Sequence, residues 1–173
     1  MLRKYEPLLH AGDALMVSIA CEATDVCSSP IGIVSVMEEG QERFIGCVGT
    51  DIECVDRSVS ICAHTILEPD PLVVEDVRLD ARFRNLPYVV GPPFIRFYAG
   101  APVIDRSGLP IGSVCVLHTQ PHEVSSKCLL ALGRLALVAA AVLETRLLAA
   151  ATRDRSRLDD LLLTILEPRP SCG

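Results

Sequence analysis

Two apolar segments, Arg96 to Ile104 and Gly112 to Leu117, flank the tetrapeptide Asp105-Arg106-Ser107-Gly108. A polar link with glycine where a positive φ is needed reverses the chain tightly, so the two segments are predicted to pair as an antiparallel hairpin. Ile31 to Met37 carries isoleucine and valine on both alternating faces, which suits a central strand covered on each side. After the polar turn Glu38-Glu39-Gly40-Gln41, the stretch Glu42 to Val48 alternates Glu42, Phe44 and Gly46 against Arg43, Ile45 and Cys47. A second hairpin is therefore predicted, and the chain must fold around an antiparallel sheet.

The remaining segments supply the cover. Leu8, Ala11, Leu15 and Ile19 recur at helical spacing and predict a helix from residue 8 to about 26, ended by Ser28-Ser29-Pro30. Asp51 to Arg57 reads as polar and irregular, and Ser58 to Leu67 as a short helix capped by Ser58 or Asp56. Pro69-Asp70-Pro71 forces a turn before a short strand from Leu72 to Glu75. Asp80 to Pro93, holding Pro87, Gly91, Pro92 and Pro93, reads as a helical turn plus a long loop, the kind of segment that often carries a site. From Ser125 or Ser126 as cap, Leu132, Ala136, Ala139, Leu143, Leu147 and Ala150 form one long helical stripe. Arg153-Asp154-Arg155-Ser156-Arg157 interrupts it, and Leu158, Leu161, Leu162 and Ile165 resume it out of register.

Composition narrows the function classes. At 173 residues with a net charge of −6, the chain is one domain's worth and gives phosphate backbones no basic surface, so nucleic acid is not expected as a partner. The longest apolar run, Leu135 to Leu143, falls short of the ~20 residues that span a bilayer, and it reads as a buried or dimer-forming helix with no membrane role. Eight cysteines would suit a disulfide framework in a secreted chain, but His10, Gly12 and Asp13 break the apolar stretch after Leu2-Arg3-Lys4. The thiols are therefore expected to be reduced and the protein cytoplasmic.

Ser60-Ile61-Cys62-Ala63-His64, Leu72-Val73-Val74-Glu75-Asp76, Leu79-Asp80-Ala81-Arg82-Phe83 and Gly91-Pro92-Pro93 occur in order. They are followed by Ile95-Arg96-Phe97-Tyr98-Ala99-Gly100-Ala101-Pro102 and Ile111-Gly112-Ser113-Val114-Cys115-Val116-Leu117. This succession resembles the GAF domains of bacterial sensor kinases and cyclases. The resemblance implies an α+β fold: an antiparallel sheet of five or six strands, N- and C-terminal helices on one face, and a loop-covered pocket on the other. It divides the chain into an N-terminal extension (1–9), the GAF-like sensory domain (10–150) and a C-terminal helical tail (151–173). Ligands of such domains include cyclic nucleotides, tetrapyrroles, haem and small metabolites, and no cofactor is assigned among them.

The resemblance places Ser60, Cys62, His64, Asp76, Phe83, Arg96 and Tyr98 at the ligand pocket. Cys62 and His64, two apart, face a ligand or serve as packing residues. Arg96 and Tyr98 share a strand face by alternation, where the arginine holds an anionic group or pairs with Asp76 or Asp80. Cys115 and His118, at odd spacing on a strand, point to opposite faces, so no metal site is expected. The chain lacks the Cys-His dipeptide of bilin-binding GAF domains and the Asn-Lys motif of the cyclic-nucleotide type.

With no Gly-x-Ser-x-Gly elbow and no phosphate loop, the chain is expected not to be an enzyme. The expected function is a sensory module that binds a small molecule, forms a homodimer through its terminal helices, or does both, acting through a signalling partner. The alternatives are a thiol-based redox sensor, motivated by the cysteines, and a GAF-fold reductase.

Overall fold

A computed structural model describes residues 12–166, with side chains from 12 to 158. The elements in chain order are α1 (Ala14–Cys27), β1 (Ile31–Met37), β2 (Gln41–Val48), β3 (Cys54–Asp56), α2 (Cys62–Thr65), β4 (Leu72–Val74), α3 (Pro87–Val90), β5 (Phe97–Ile104), β6 (Pro110–His118) and α4 (Ser126–Leu166). The strands form one six-stranded sheet in the order β3-β2-β1-β6-β5-β4, with every neighbouring pair antiparallel. Both expected hairpins are present, and β1 and β6 join them at the centre, where Ser35 faces Ser113 with their buried hydroxyls 3.1 Å apart.

Strand alternation divides the apolar residues between two cores. Val34, Val36, Phe97, Ala99 and Val114 meet α1 and α4 on one face. Ile33, Phe44, Tyr98 and Cys115 meet the loops and short helices on the other. On the helix side, α1 lies so close to β2 that a side chain at Gly46 would collide with the Met16 backbone. The Asp13 side chain caps α1 at the Leu15 and Met16 amides, and Ser28 closes the helix in the left-handed region at φ 51°. Ser125 caps α4 through the Cys128 amide.

Several expectations are corrected. The residues of α1 that reach the core are Met16, Ile19, Ala20, Ala23 and Cys27; of the expected stripe Leu8, Ala11, Leu15 and Ile19, Ile19 is buried, Leu15 is 45% exposed, and Leu8 and Ala11 lie outside the described residues. Asp51 to Arg57 is not wholly irregular, because Cys54–Asp56 pairs with Gln41 to Arg43 as an edge strand. The thiols are not all reduced: Cys27 at the end of α1 and Cys128 in the first turn of α4 form a disulfide, which the proximity of the two helix ends permits. Cys172 lies outside the described residues.

The long C-terminal helix is unbroken from Ser126 to Leu166, so the charged interval at 153–157 does not end it. Its 126–158 stretch is long and apolar enough to cross a membrane by length and composition alone, a test that core helices also pass. Its Cys128, Leu132, Ala136, Ala139 and Leu143 face, however, is packed into the core against the sheet.

Candidate functional site

On the loop side of the sheet, opposite the long helices, a cavity of about 70 Å³ opens between the strands and the segments that cross them. That is room for about five water-sized groups. Ile33, Phe44 and Leu117 form its floor, and Ile61, Tyr88 and Ile95 form its cover. The wall is apolar except at a few positions, and each of these can be traced to the element that holds it.

Glu42 on β2 is the acidic group of the wall and is 1% exposed. Its Oε2 accepts a hydrogen bond of 2.5 Å from the Ser60 hydroxyl, which itself accepts from the Ala63 amide at 3.0 Å. Its Oε1 is buried and meets no hydrogen-bond donor of the protein. Beside it stand Cys62, in the first turn of α2, and Cys115 on β6, with their sulfurs 3.6 Å apart and both residues buried. The Tyr98 hydroxyl lies 2.6 Å from the Thr65 hydroxyl and donates to the Cys62 sulfur at 3.3 Å.

These contacts set the protonation of the site. The neighbouring Cys115 thiol and then burial push the Cys62 thiol well above its ordinary range, so it stays protonated. Burial, reinforced by the nearby thiols, does the same for the Tyr98 phenol. The Tyr88 phenol is raised by burial too, and its hydroxyl donates to the Val59 carbonyl at 2.7 Å, fixing α3 over the cavity.

Of the residues read from the sequence, Cys62 and Tyr98 line the cavity, and Ser60 reaches it through Glu42. His64 packs edge-on against Phe83 with ring centres 5.0 Å apart, and Phe83 lies 1% exposed beneath the Arg82 guanidinium. Asp76 is engaged by Arg78 and Asp80 by Arg82, each at 2.6 Å, which holds both carboxyls below their ordinary range.

The expected pairing of Arg96 with Asp76 or Asp80 is corrected. Its guanidinium donates to the carbonyls of Val89 and Ile95 at 2.8 and 2.9 Å, tying α3 to the entry of β5. Since β5 begins at Phe97, strand alternation does not carry Arg96 to the wall beside Tyr98. Glu42, Cys115 and Tyr88 were missed. The only sequence signal for Glu42 was an acid in phase with Phe44 on the same strand. Among the described residues, no group of three or more His, Cys, Asp or Glu is placed to hold a metal ion.

A central antiparallel sheet, long helices on one face and an apolar cavity under loops on the other define an α+β domain of sensory type. The chain belongs to the GAF domain family, whose model matches residues 9–143. A cyclic di-GMP phosphodiesterase of Pseudomonas aeruginosa is 41% identical over 116 residues, which are 66% of this chain and 20% of that protein. The chain thus spans about a fifth of the length of the curated relative it matches.

Solved structures share the fold. The GAF domain of an Acinetobacter phosphoenolpyruvate-protein phosphotransferase superposes with a TM-score of 0.65 at 15% identity, covering 88% of this chain and 94% of that one. A free methionine-R-sulfoxide reductase from Neisseria meningitidis, solved with its substrate, gives 0.61 at 16% identity, covering 88% and 89%. These relatives correct the expectation that the chain is not an enzyme, since one carries a phosphodiesterase name and another is a reductase on the same fold. Missing motifs for hydrolysis or phosphate binding do not exclude chemistry from a fold that hosts more than one function.

Proposed function

We propose that this GAF domain is the sensory part of a signalling protein and that its cavity takes a small, largely apolar molecule. One observation carries the reading: the loop layer partly covers an apolar cavity directly against the central strands β1 and β6, whose other face carries α1 and α4. A molecule seated there touches the sheet on which the long helix is packed, so its binding energy can shift the helix layer. The cavity's size favours a metabolite of a few heavy atoms over a tetrapyrrole or a dinucleotide.

Native mass spectrometry of the purified protein tests this, followed by methyl NMR with a library of small metabolites. Shifts confined to Ile33, Ile61 and Ile95 are expected. Binding that moves only residues outside the cavity would sink the reading.

The likeness to a segment of a phosphodiesterase supports an output module joined to, or contacted by, this domain. We further propose a homodimer through the terminal helices, since Leu130, Leu137, Leu148 and Leu158 of α4 and Leu15 of α1 are exposed. Light scattering tests it: the unaltered protein is expected at the dimer mass and Leu137→Glu at the monomer mass, and a monomer mass for the unaltered protein at high concentration would remove the dimer. GAF membership supports a soluble domain, and we place it in the cytoplasm, where the Cys27–Cys128 disulfide, at 4% and 2% exposure, is shielded from reductant.

A second reading is favoured by the 3.6 Å approach of the Cys62 and Cys115 sulfurs. A small hydroperoxide entering the cavity would accept two electrons from the two thiols, giving a disulfide, water and an alcohol. Because Cys62 is held as a thiol, this reaction would be slow. Peptide mapping after peroxide treatment decides: a Cys62–Cys115 linked peptide supports redox sensing, and two alkylatable thiols remove it.

A further inference from the structure

Glu42 is expensive where it stands. A carboxylate sealed in an apolar wall loses its hydration, and such a group is retained in folded proteins when hydrogen bonds or a counter-charge replace the water. Here the fold replaces it only in part, through the Ser60 hydroxyl and a Cys62 thiol that lies against the carboxyl. Oε2 is held by the Ser60 hydroxyl, and Oε1 meets no protein donor. The nearby cations are committed elsewhere: Arg43, next in sequence, is held by Glu38 at 2.7 Å, and Arg57 donates to the Glu38 carbonyl. Among the described residues, none forms an ion pair with Glu42.

The direction of the surrounding hydrogen bonds adds a second constraint. The Ala63 amide donates to the Ser60 oxygen, so the Ser60 proton is free to point at Glu42, and Oε2 receives a hydrogen bond rather than giving one. Ser60 is in turn fixed by the turn that starts α2, with its own amide bonded to the Arg57 carbonyl. Oε2 is thus an occupied acceptor, while Oε1 is left without a protein partner on a residue that lines the cavity. The rest of the nearby wall, Ile33, Phe44, Ile61 and Tyr88, offers contact to hydrocarbon.

We infer that Glu42 is the specificity-determining anchor of the cavity and that the ligand is a small aliphatic or aromatic amine, bound as its ammonium ion. The cationic nitrogen donates to Oε1 and supplies the missing counter-charge, while the hydrocarbon part fills the apolar space. This rests on the reading of the cavity as a ligand pocket and names the class of molecule it selects. A charge-assisted bond in a dry site discriminates strongly against a neutral isostere, because the isostere leaves the buried carboxylate uncompensated.

The test compares 3-methylbutylamine with 3-methylbutanol, which match in shape and differ in charge, by calorimetric titration and methyl NMR at pH 7. The intact chain is expected to bind the amine at least tenfold more tightly than the alcohol, with shifts at Ile33 and Ile61. In Glu42→Gln the preference is expected to fall to about one, while the alcohol binds as before. Should Glu42→Gln fail to fold, the ratio of the two probes on the unaltered protein still decides.

Equal binding of both probes overturns the charge selection and leaves the pocket reading standing. An amine preference that survives in Glu42→Gln overturns the role of Glu42 alone. Failure of both probes to shift any cavity methyl overturns the inference and counts against the pocket as well.

Discussion

The Arg146 guanidinium grips both carboxylate oxygens of Asp13, at 2.6 and 3.1 Å, across 133 residues of sequence. The same carboxylate caps α1, so one side chain both starts the first helix and ties it to the last.

Asp13→Ala is expected to lower stability by about 1–2 kcal/mol, from the lost cap together with a partly shielded ion pair. The pair with Arg146, reinforced by the Met16 and Leu15 amides, holds the Asp13 carboxyl below its ordinary value of 3.8. The unfolded chain therefore binds this proton more readily than the folded one. The contribution is fully present above the unfolded value and is lost as pH falls through the lower folded value. Urea unfolding at pH 7 and near pH 3 checks it: the gap between Asp13→Ala and the parent should shrink at the acidic end.

The Cys27–Cys128 disulfide closes a loop with a sequence separation of 101 residues. Cross-linking so long a loop restricts the unfolded ensemble, and its loss is expected to cost roughly 2–4 kcal/mol. Denaturant midpoints with and without a strong reductant measure this. The paired Cys27→Ser and Cys128→Ser variant should match the reduced protein and ignore the reductant.

Gly46→Ala is expected to destabilise by about 1–3 kcal/mol, since the added methyl would enter the Met16 backbone where α1 crosses β2. A helix backbone cannot swing aside as a flexible side chain can. Gly40→Ala, at a position with open space around it, is the control in the same thermal melts and should be close to neutral.

Tyr98→Phe removes the hydroxyl that engages Thr65 and Cys62, leaving the fully buried Thr65 without that partner. A loss of about 1–3 kcal/mol is expected. Because burial raises the Tyr98 phenol far above its usual range, spectrophotometric titration of the folded protein should show its phenolate only when the protein unfolds in base.

How far the chain could be read from its sequence follows from the range of the interactions involved. The two hairpins and the end of α1 at Ser28-Ser29-Pro30 are local patterns, and the structure has them where the residues put them. The edge strand at Cys54–Asp56 escaped because three residues are too few to show alternation, and its pairing to β2 is long-range. Arg96 was assigned a carboxylate partner by type, but the nearer claim came from the Val89 and Ile95 carbonyls, and Asp76 and Asp80 already had arginines two residues away. In the sequence Glu42 is one position of an alternating strand, in phase with Phe44 and Gly46. It became the acid of a cavity only because the segments holding Ser60, Ile61 and Tyr88 fold across it, which spacing along one strand does not reveal.

The unbroken helix α4 gives the domain a mechanical property. Packing against the core reaches as far as Leu147, and the helix continues to Leu166, a lever of about 28 Å at 1.5 Å per residue. A tilt of about 10° where α4 rests on the sheet becomes a displacement of about 5 Å at the far end of that lever. Under the proposed sensory role, a rearrangement slight at the cavity would be geared up along this shaft into a stroke as long as one turn of helix.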